Sequence, residues 1–250
     1  MADNYRMTAP AAATPPVTDP VPLLERVRQH RQAIYSRKFV TGRSGRQLDI
    51  WPTGITQPSG NFLRDLVIRE QARRTLEVGL GLGLSSLAII EGILTVGGDV
   101  HHTTMDFAQA ERDYAGRQSI LDASARDVST VMPKDSAVAL AELYSSGKRF
   151  DFAFVDGSHV FDGVIVDLFY TIRLVKPDGL IVLDDHWMPA VQTALAFCTT
   201  NWKVDLELFD PEGPGGRLVA FRNNGKAHQR AWDHFQPFSR ADLPAYPWRV

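Results

Sequence analysis

The chain has 250 residues, with 27 lysines and arginines against 29 acids, so its formal net charge is −2. That balance argues against nucleic acid as the main ligand, because phosphate binding shows as a strong basic excess. The single cysteine, Cys198, excludes an internal disulfide framework and a cysteine-based zinc site. No run approaches the ~20 apolar residues of a membrane helix, and prolines interrupt the N-terminal alanines before a leader's apolar core can form. A cytoplasmic protein away from the membrane is expected.

Taken in chain order, residues 1–20 read as a disordered arm, with Pro10, Pro15, Pro16 and Pro20 among alanines and threonines. Residues 21–60 form a helical cap and lid. A helix is expected over 23–35, with Leu24, Val27 and Ile34 giving weak periodicity. A long loop punctuated by Gly, Pro and Thr, carrying Trp51, follows over 41–60. The core is expected over 61–225. It opens with a helix over 61–73 that Asn61 can cap, with Phe62, Leu63, Leu66 and Val67 on one face.

From Arg74 strands and helices alternate. "TLEVGL", "VHHTTMDF", "VSTVM", "FDFAFVDG" and "GLIVLDD" read as strands, separated by helices over 85–93, 116–125, 136–145 and 161–175, with another helix over 189–199. "KVDLELF" and "RLVAFR" are joined by the short "DPEGPGG", which makes them an antiparallel hairpin. The expected fold is therefore α/β: a Rossmann-like, doubly wound, seven-stranded, mostly parallel sheet with a C-terminal hairpin. Residues 226–250 form an aromatic tail (Trp232, Phe235, Phe238, Tyr246, Trp248), expected to cover the core or a partner subunit of a homodimer.

Chemistry concentrates where the strands end. The first of these strands runs into "EVGLGLGLSS", with Gly79, Gly81 and Gly83 alternating at the turn into a helix. Glycine lets a ligand approach the backbone, and in an open parallel sheet ligands sit beyond the C-terminal strand ends. The dinucleotide spacing fails, since the last position falls on Leu84 or Ser86, and no Walker lysine follows. Asp106 ends "TTMDF", where a carboxylate can accept from both hydroxyls of a ribose or cap the next helix. Asp156 ends "FAFVDG", and Asp184 and Asp185 end "IVLDD". A β-α-β connection places these ends side by side, about 5 Å apart. Three carboxylates there need compensation, and a hard divalent cation, Mg²⁺, would supply it.

The E-x-G-x-G-x-G string from Glu77 to Gly83 resembles the first motif of class I S-adenosylmethionine-dependent methyltransferases. That resemblance implies S-adenosylmethionine as cofactor, with Glu77 near its methionine end and Gly79, Gly81, Gly83 and Ser85 at the turn. It also puts Asp106 on the ribose, Asp135 and Ser136 of "MPKDSAVAL" at the adenine, and Asp156 at the cofactor's edge. The "VDGSH…LDD" pattern resembles metal-dependent O-methyltransferases of the catechol and caffeoyl-coenzyme A type, and more closely bacterial methyltransferases of natural-product sugars. It implies Asp156, Asp184 and Asp185 as Mg²⁺ ligands, His159 as general base with His186 in reserve, and a small-molecule acceptor such as a catechol, a sugar or another secondary metabolite. His101 and His102 are read as structural. The alternatives are an N-methyltransferase or metal-independent O-methyltransferase on the same fold, an NAD-type oxidoreductase, and a non-catalytic binding protein.

Overall fold

The computed structural model describes residues 22–208, 217–227 and 229–243. The expected arm, the hairpin link 210–216 and the tail residues Tyr246 and Trp248 lie outside them. Helix α1 (Leu23–Arg37) ends where Lys38 turns left-handed and its N–H reaches back to the Ile34 carbonyl. The segment expected as one long loop holds a small antiparallel hairpin, β1 (Phe39–Thr41) and β2 (Gln47–Asp49). Its turn is tied down: Arg43 N donates to the Asp113 carbonyl at 2.7 Å and Ser44 N to the Asp113 carboxylate at 2.9 Å.

Helix α2 (Gln57–Arg69) begins four residues before Asn61, the expected cap. Thr56 caps it instead, its hydroxyl accepting from Ser59 N at 3.3 Å, and Pro58 sits in the first turn, where a missing N–H costs nothing. Asn61 is left to accept from Arg31 at 2.9 Å. Sequence spacing pointed at Asn61 because the apolar face starts beside it; the polar first turn has no periodicity to reveal it.

The remaining strands are β3 (Arg74–Val78), β4 (His101–Met105), β5 (Ser129–Met132), β6 (Phe150–Val155), β7 (Val175–Leu183), β8 (Leu206–Leu208) and β9 (Val219–Arg222). They form one seven-stranded sheet in the order β5-β4-β3-β6-β7-β9-β8. β3, β4, β5, β6 and β7 are mutually parallel, and β9 runs antiparallel to both β7 and β8. The order reverses around β3, which lies between β4 and β6, and this is where such sheets open a ligand crevice. Helices α3 (Leu84–Val96), α4 (Ala115–Asp122), α5 (Ser136–Ser145), α6 (Phe161–Leu174) and α7 (Pro189–Phe197) connect and cover the strands.

The alternation inside "FDFAFV" sorts the core into two layers. Ala153 and Val155 join Leu76, Val78, Ile181 and Leu183 against α5, α6 and α7. Phe152 and Phe154 join Leu180 and Val182 against α1, α2 and α3 on the other face. Helix α3 is buried nearly all round, as its sequence LSSLAIIEGILTV requires. Its one acid, Glu91, is buried and held by Arg31 at 2.8 Å and Arg28 at 3.1 Å. Among the described residues no helix is long and apolar enough to cross a membrane. The described part of the tail is divided: Phe238 packs on Phe197, while Trp232 is 97% exposed.

Candidate active site

The glycine turn leaves β3 with Gly79 at φ +93°, its N–H donating to the Met105 carbonyl of β4 at 3.0 Å. A Cβ at Gly79 would lie 2.0 Å from the Asp156 carbonyl oxygen, so only glycine lets the turn press against the end of β6. Gly81 also has positive φ, but a Cβ there would meet open space. Gly83 closes the turn as the left-handed residue before α3, and Ser85 lies in that helix's first turn.

Asp106 takes the capping role that its position allowed. Its Oδ1 accepts from Ala108 N at 2.7 Å, capping a short 3₁₀ turn over Phe107–Ala110. Its Oδ2 accepts from Gly81 N at 2.9 Å and Gln109 Nε2 at 2.7 Å, which fastens the second strand end to the glycine turn. Asp135 likewise caps α5, accepting from Ala137 N at 2.9 Å, and Ser136 is the first residue of that helix.

The acidic cluster forms at the ends of β6 and β7, which pair in parallel with Val155 opposite Leu183. His159 Nε2 lies 3.0 Å from Asp185 Oδ2 and 3.7 Å from Asp156 Oδ1. One donor atom from each of Asp156, His159 and Asp185 lies within 4.8 Å of the others. Asp184 is turned away from that group. Its side chain is 1% exposed and both its oxygens accept from Arg217, Nε to Oδ1 at 3.1 Å and Nη2 to Oδ2 at 2.9 Å. Arg217 Nη2 also reaches Asp185 Oδ1 at 3.0 Å.

These contacts set the charges. Asp156 and Asp185 push His159 up to about 10, against the effect of burial. Burial pushes Asp184 up to about 7, helped by the Asp156 charge and opposed by Arg217, and it raises Asp156 as well. Burial acts the same way on Asp185, but the bond from His159 and the charge of Arg217 outweigh it, leaving Asp185 below the usual carboxylate range.

One cavity of about 940 Å³ joins the two halves of the site. Gly79, Gly81, Ser85, Asp106, Asp135 and Ser136 line it at the glycine turn and neighbouring strand ends, and Asp156, His159 and Asp185 line it at the acidic cluster. Three expected residues are not among its lining. Gly83 is covered by Gly116 of α4, whose carbonyl a Cβ would meet at 2.9 Å. Asp184 is sealed behind Arg217. Glu77 is fully buried on the inner side of β3, its Oε2 accepting from Ser86 Oγ and 3.1 Å from His102 Nε2. Strand alternation explains this, because Glu77 and Thr75 share a face, and His102 bridges them through Nδ1 to Thr75 Oγ1 at 2.9 Å. His186, the reserve base, is also buried, its backbone N–H donating to the Arg217 carbonyl at 3.2 Å.

Several lining residues carried no motif. Residues 51–55 form one wall, with Trp51 67% exposed. Trp187 donates its indole N–H to Asp185 Oδ1 at 2.9 Å, and Arg217 enters from two residues before the last strand. Trp187 could have been suspected from its place after "LDDH". Arg217 could not, because only the pairing of β9 with β7 brings it to the cluster.

The family model described as "Methyltransferase domain" matches residues 76–186, the stretch that carries the glycine turn, Asp106, Asp156, His159 and the Asp184–Asp185 pair. Among solved structures the chain is similar to an O-methyltransferase from Bacillus cereus in complex with SAH, at 18% identity over 82% of this chain and 93% of that one, TM-score 0.60. It is similar to the O-methyltransferase TomG from Streptomyces achromogenes, involved in tomaymycin synthesis and solved with SAM, at 19% identity over 79% and 89%, TM-score 0.59. The SAH-bound methyltransferase PaMTH1 of Podospora anserina matches at 17% identity over 81% and 88%, TM-score 0.59. No curated protein matches the chain.

Proposed function

We propose that this chain, which matches the methyltransferase domain model over residues 76–186, is an S-adenosylmethionine-dependent enzyme that methylates a hydroxyl oxygen of a small molecule. One observation carries the reading. A single cavity is lined at one end by the glycine turn and Asp106, and at the other by His159 held between two carboxylates. A methyl donor and a proton acceptor therefore face one space large enough for a cofactor and a second small molecule.

The cofactor end fits a nucleoside without phosphate. Gly81 leaves open space beside the backbone, Asp106 Oδ1 keeps one lone pair for a ribose hydroxyl, and the mouth offers Phe107, 69% exposed, next to Asp106. S-adenosylmethionine supplies an electrophilic methyl group on a sulfonium. At the acceptor end, Asp185 holds His159 Nε2, which leaves Nδ1 to take the hydroxyl proton. The oxygen forms a bond to the methyl carbon, the carbon–sulfur bond breaks with its electron pair going to sulfur, and His159 later releases the proton to solvent. Trp51, Trp187 and Met188 line the same cavity and suit an acceptor with a planar, largely apolar body. The segment 51–55 acts as the lid over it.

The expected Mg²⁺ site calls for free oxygens on Asp156, Asp184 and Asp185 together. The residues present do not fit that requirement, because Asp184 is bonded through both oxygens to Arg217 and the group that converges includes an imidazole.

Calorimetry with SAH, together with transfer of labelled methyl from S-adenosylmethionine to a panel of phenols and sugars, tests the reading. SAH binding, and transfer lost on His159→Gln with binding retained, is expected. A folded protein that binds neither cofactor form would overturn it.

A further inference from the structure

The acidic cluster already contains its own cations. Asp184 and Asp185 present four oxygens, and each accepts from a protein donor. Asp184 Oδ1 takes Arg217 Nε at 3.1 Å and Asp185 N at 2.8 Å, and Asp184 Oδ2 takes Arg217 Nη2 at 2.9 Å. Asp185 Oδ1 accepts from Trp187 Nε1 at 2.9 Å and is ion-paired with Arg217 Nη2 at 3.0 Å, and Asp185 Oδ2 pairs with His159 Nε2 at 3.0 Å.

The backbone fixes this arrangement. Antiparallel pairing ends with Leu183 opposite Val219, two residues before Asp185 on one strand and two after Arg217 on the other, and just beyond it the His186 N–H donates to the Arg217 carbonyl at 3.2 Å. The guanidinium thus arrives from the backbone that leads into β9, which is fastened to the residues after β7. Its side chain is 22% exposed while those of Asp184 and Asp185 are 1% and 5% exposed. A planar fork of N–H donors matches a carboxylate edge, which a point-like ammonium does not.

We infer that Arg217 is the resident cation of this site, so that the chain binds no divalent metal at the Asp156–Asp184–Asp185 cluster. Mg²⁺ demands near-octahedral oxygen ligands. To use Asp184 it would have to break a buried two-pronged pair and leave the guanidinium unpaired against the metal's own charge. Taken with the proposed hydroxyl methylation, on which this part rests, Arg217 does electrostatically what a Lewis acid would do: its positive charge lines the cavity beside His159 and favours the acceptor oxygen as it loses its proton.

The test is calorimetric titration of Mg²⁺ and of Mn²⁺ into the EDTA-treated full chain, with Mn²⁺ also followed by its electron paramagnetic resonance signal. The wild type should bind neither at millimolar concentration, and methyl transfer should be the same with EDTA as with added Mg²⁺. Arg217→Ala frees the carboxylates and should gain one Mn²⁺ site, which Arg217→Ala/Asp184→Asn should lose again. Stoichiometric metal binding by the wild type at micromolar concentration would overturn the inference, as would a folded Arg217→Ala protein that gains no site. Should Arg217→Ala not fold, the wild-type titration decides alone. SAH binding measured on the same sample reports separately on the methyltransferase reading.

Discussion

At the scale of single residues, His159 and Asp167 are the informative ionisable groups. His159 is pushed up to about 10 by Asp156 and Asp185. It is therefore protonated at neutral pH, and only its neutral form accepts a hydroxyl proton. The rate of methyl transfer should climb with pH, about tenfold per unit, and level off near the pKa of His159; His159→Gln should flatten the slope, and a profile flat from pH 7 to 10 in the wild type would contradict the base assignment. Asp167 of α6 is fully buried beneath the loop carrying His159, 3.1 Å from where a Cβ on Gly157 would lie, and burial pushes it up to about 6. An acid raised on folding binds more protons when native than when unfolded, so its contribution falls as pH rises from about 4 to 6. The loss is about 3 kcal/mol for a two-unit shift. Denaturant melts of Asp167→Asn should show that decline removed, with stability at pH 7 equal to or above wild type.

At the scale of elements, the glycine turn separates fold from binding. Gly79 abuts the Asp156 carbonyl, whereas Gly81 faces open space. Gly79→Ala should therefore cost about 3 kcal/mol of stability, since backbone would have to move on both sides. Gly81→Ala should cost about 1 kcal/mol for its left-handed conformation, yet weaken SAH binding tenfold or more because the methyl occupies the space the cofactor needs. Thermal melts and calorimetry on the two variants separate these outcomes, and equal loss of binding with equal stability would contradict the assignment. The cavity wall 51–55 is fastened at its far end, where Tyr35 Oη donates to the carbonyls of Ile55 at 3.1 Å and Thr56 at 3.2 Å.

At the scale of the whole molecule, the two core layers hold the sheet, and the crevice opens where the strand order reverses. A ligand filling that crevice binds only the folded chain. SAH at a hundred times its dissociation constant should stabilise the protein by about 2.7 kcal/mol, read as a rise in melting temperature, and NAD at the same concentration should leave it unchanged. A rise with NAD and none with SAH would reverse the cofactor assignment.

Much of this was legible in the sequence because it depends on local periodicity and chain order. The alternation of strands and helices, the glycines after β3, and the aspartates ending β4, β6 and β7 are one-dimensional signals, and helix α5 lies at its expected bounds, Ser136–Ser145. The side each acid faces depends on pleat and pairing. Glu77 turned inward to Ser86 and His102 because it shares a face with Thr75. Thr56 took the cap expected of Asn61 because a polar first turn has no pattern to mark it. The counter-charge of the cluster was decided only in three dimensions. Three aspartates call for a cation, but whether that cation is a metal or a side chain depends on what the neighbouring strand carries. The antiparallel register of β9 against β7 sets Arg217, far off in sequence, beside Asp184 and Asp185.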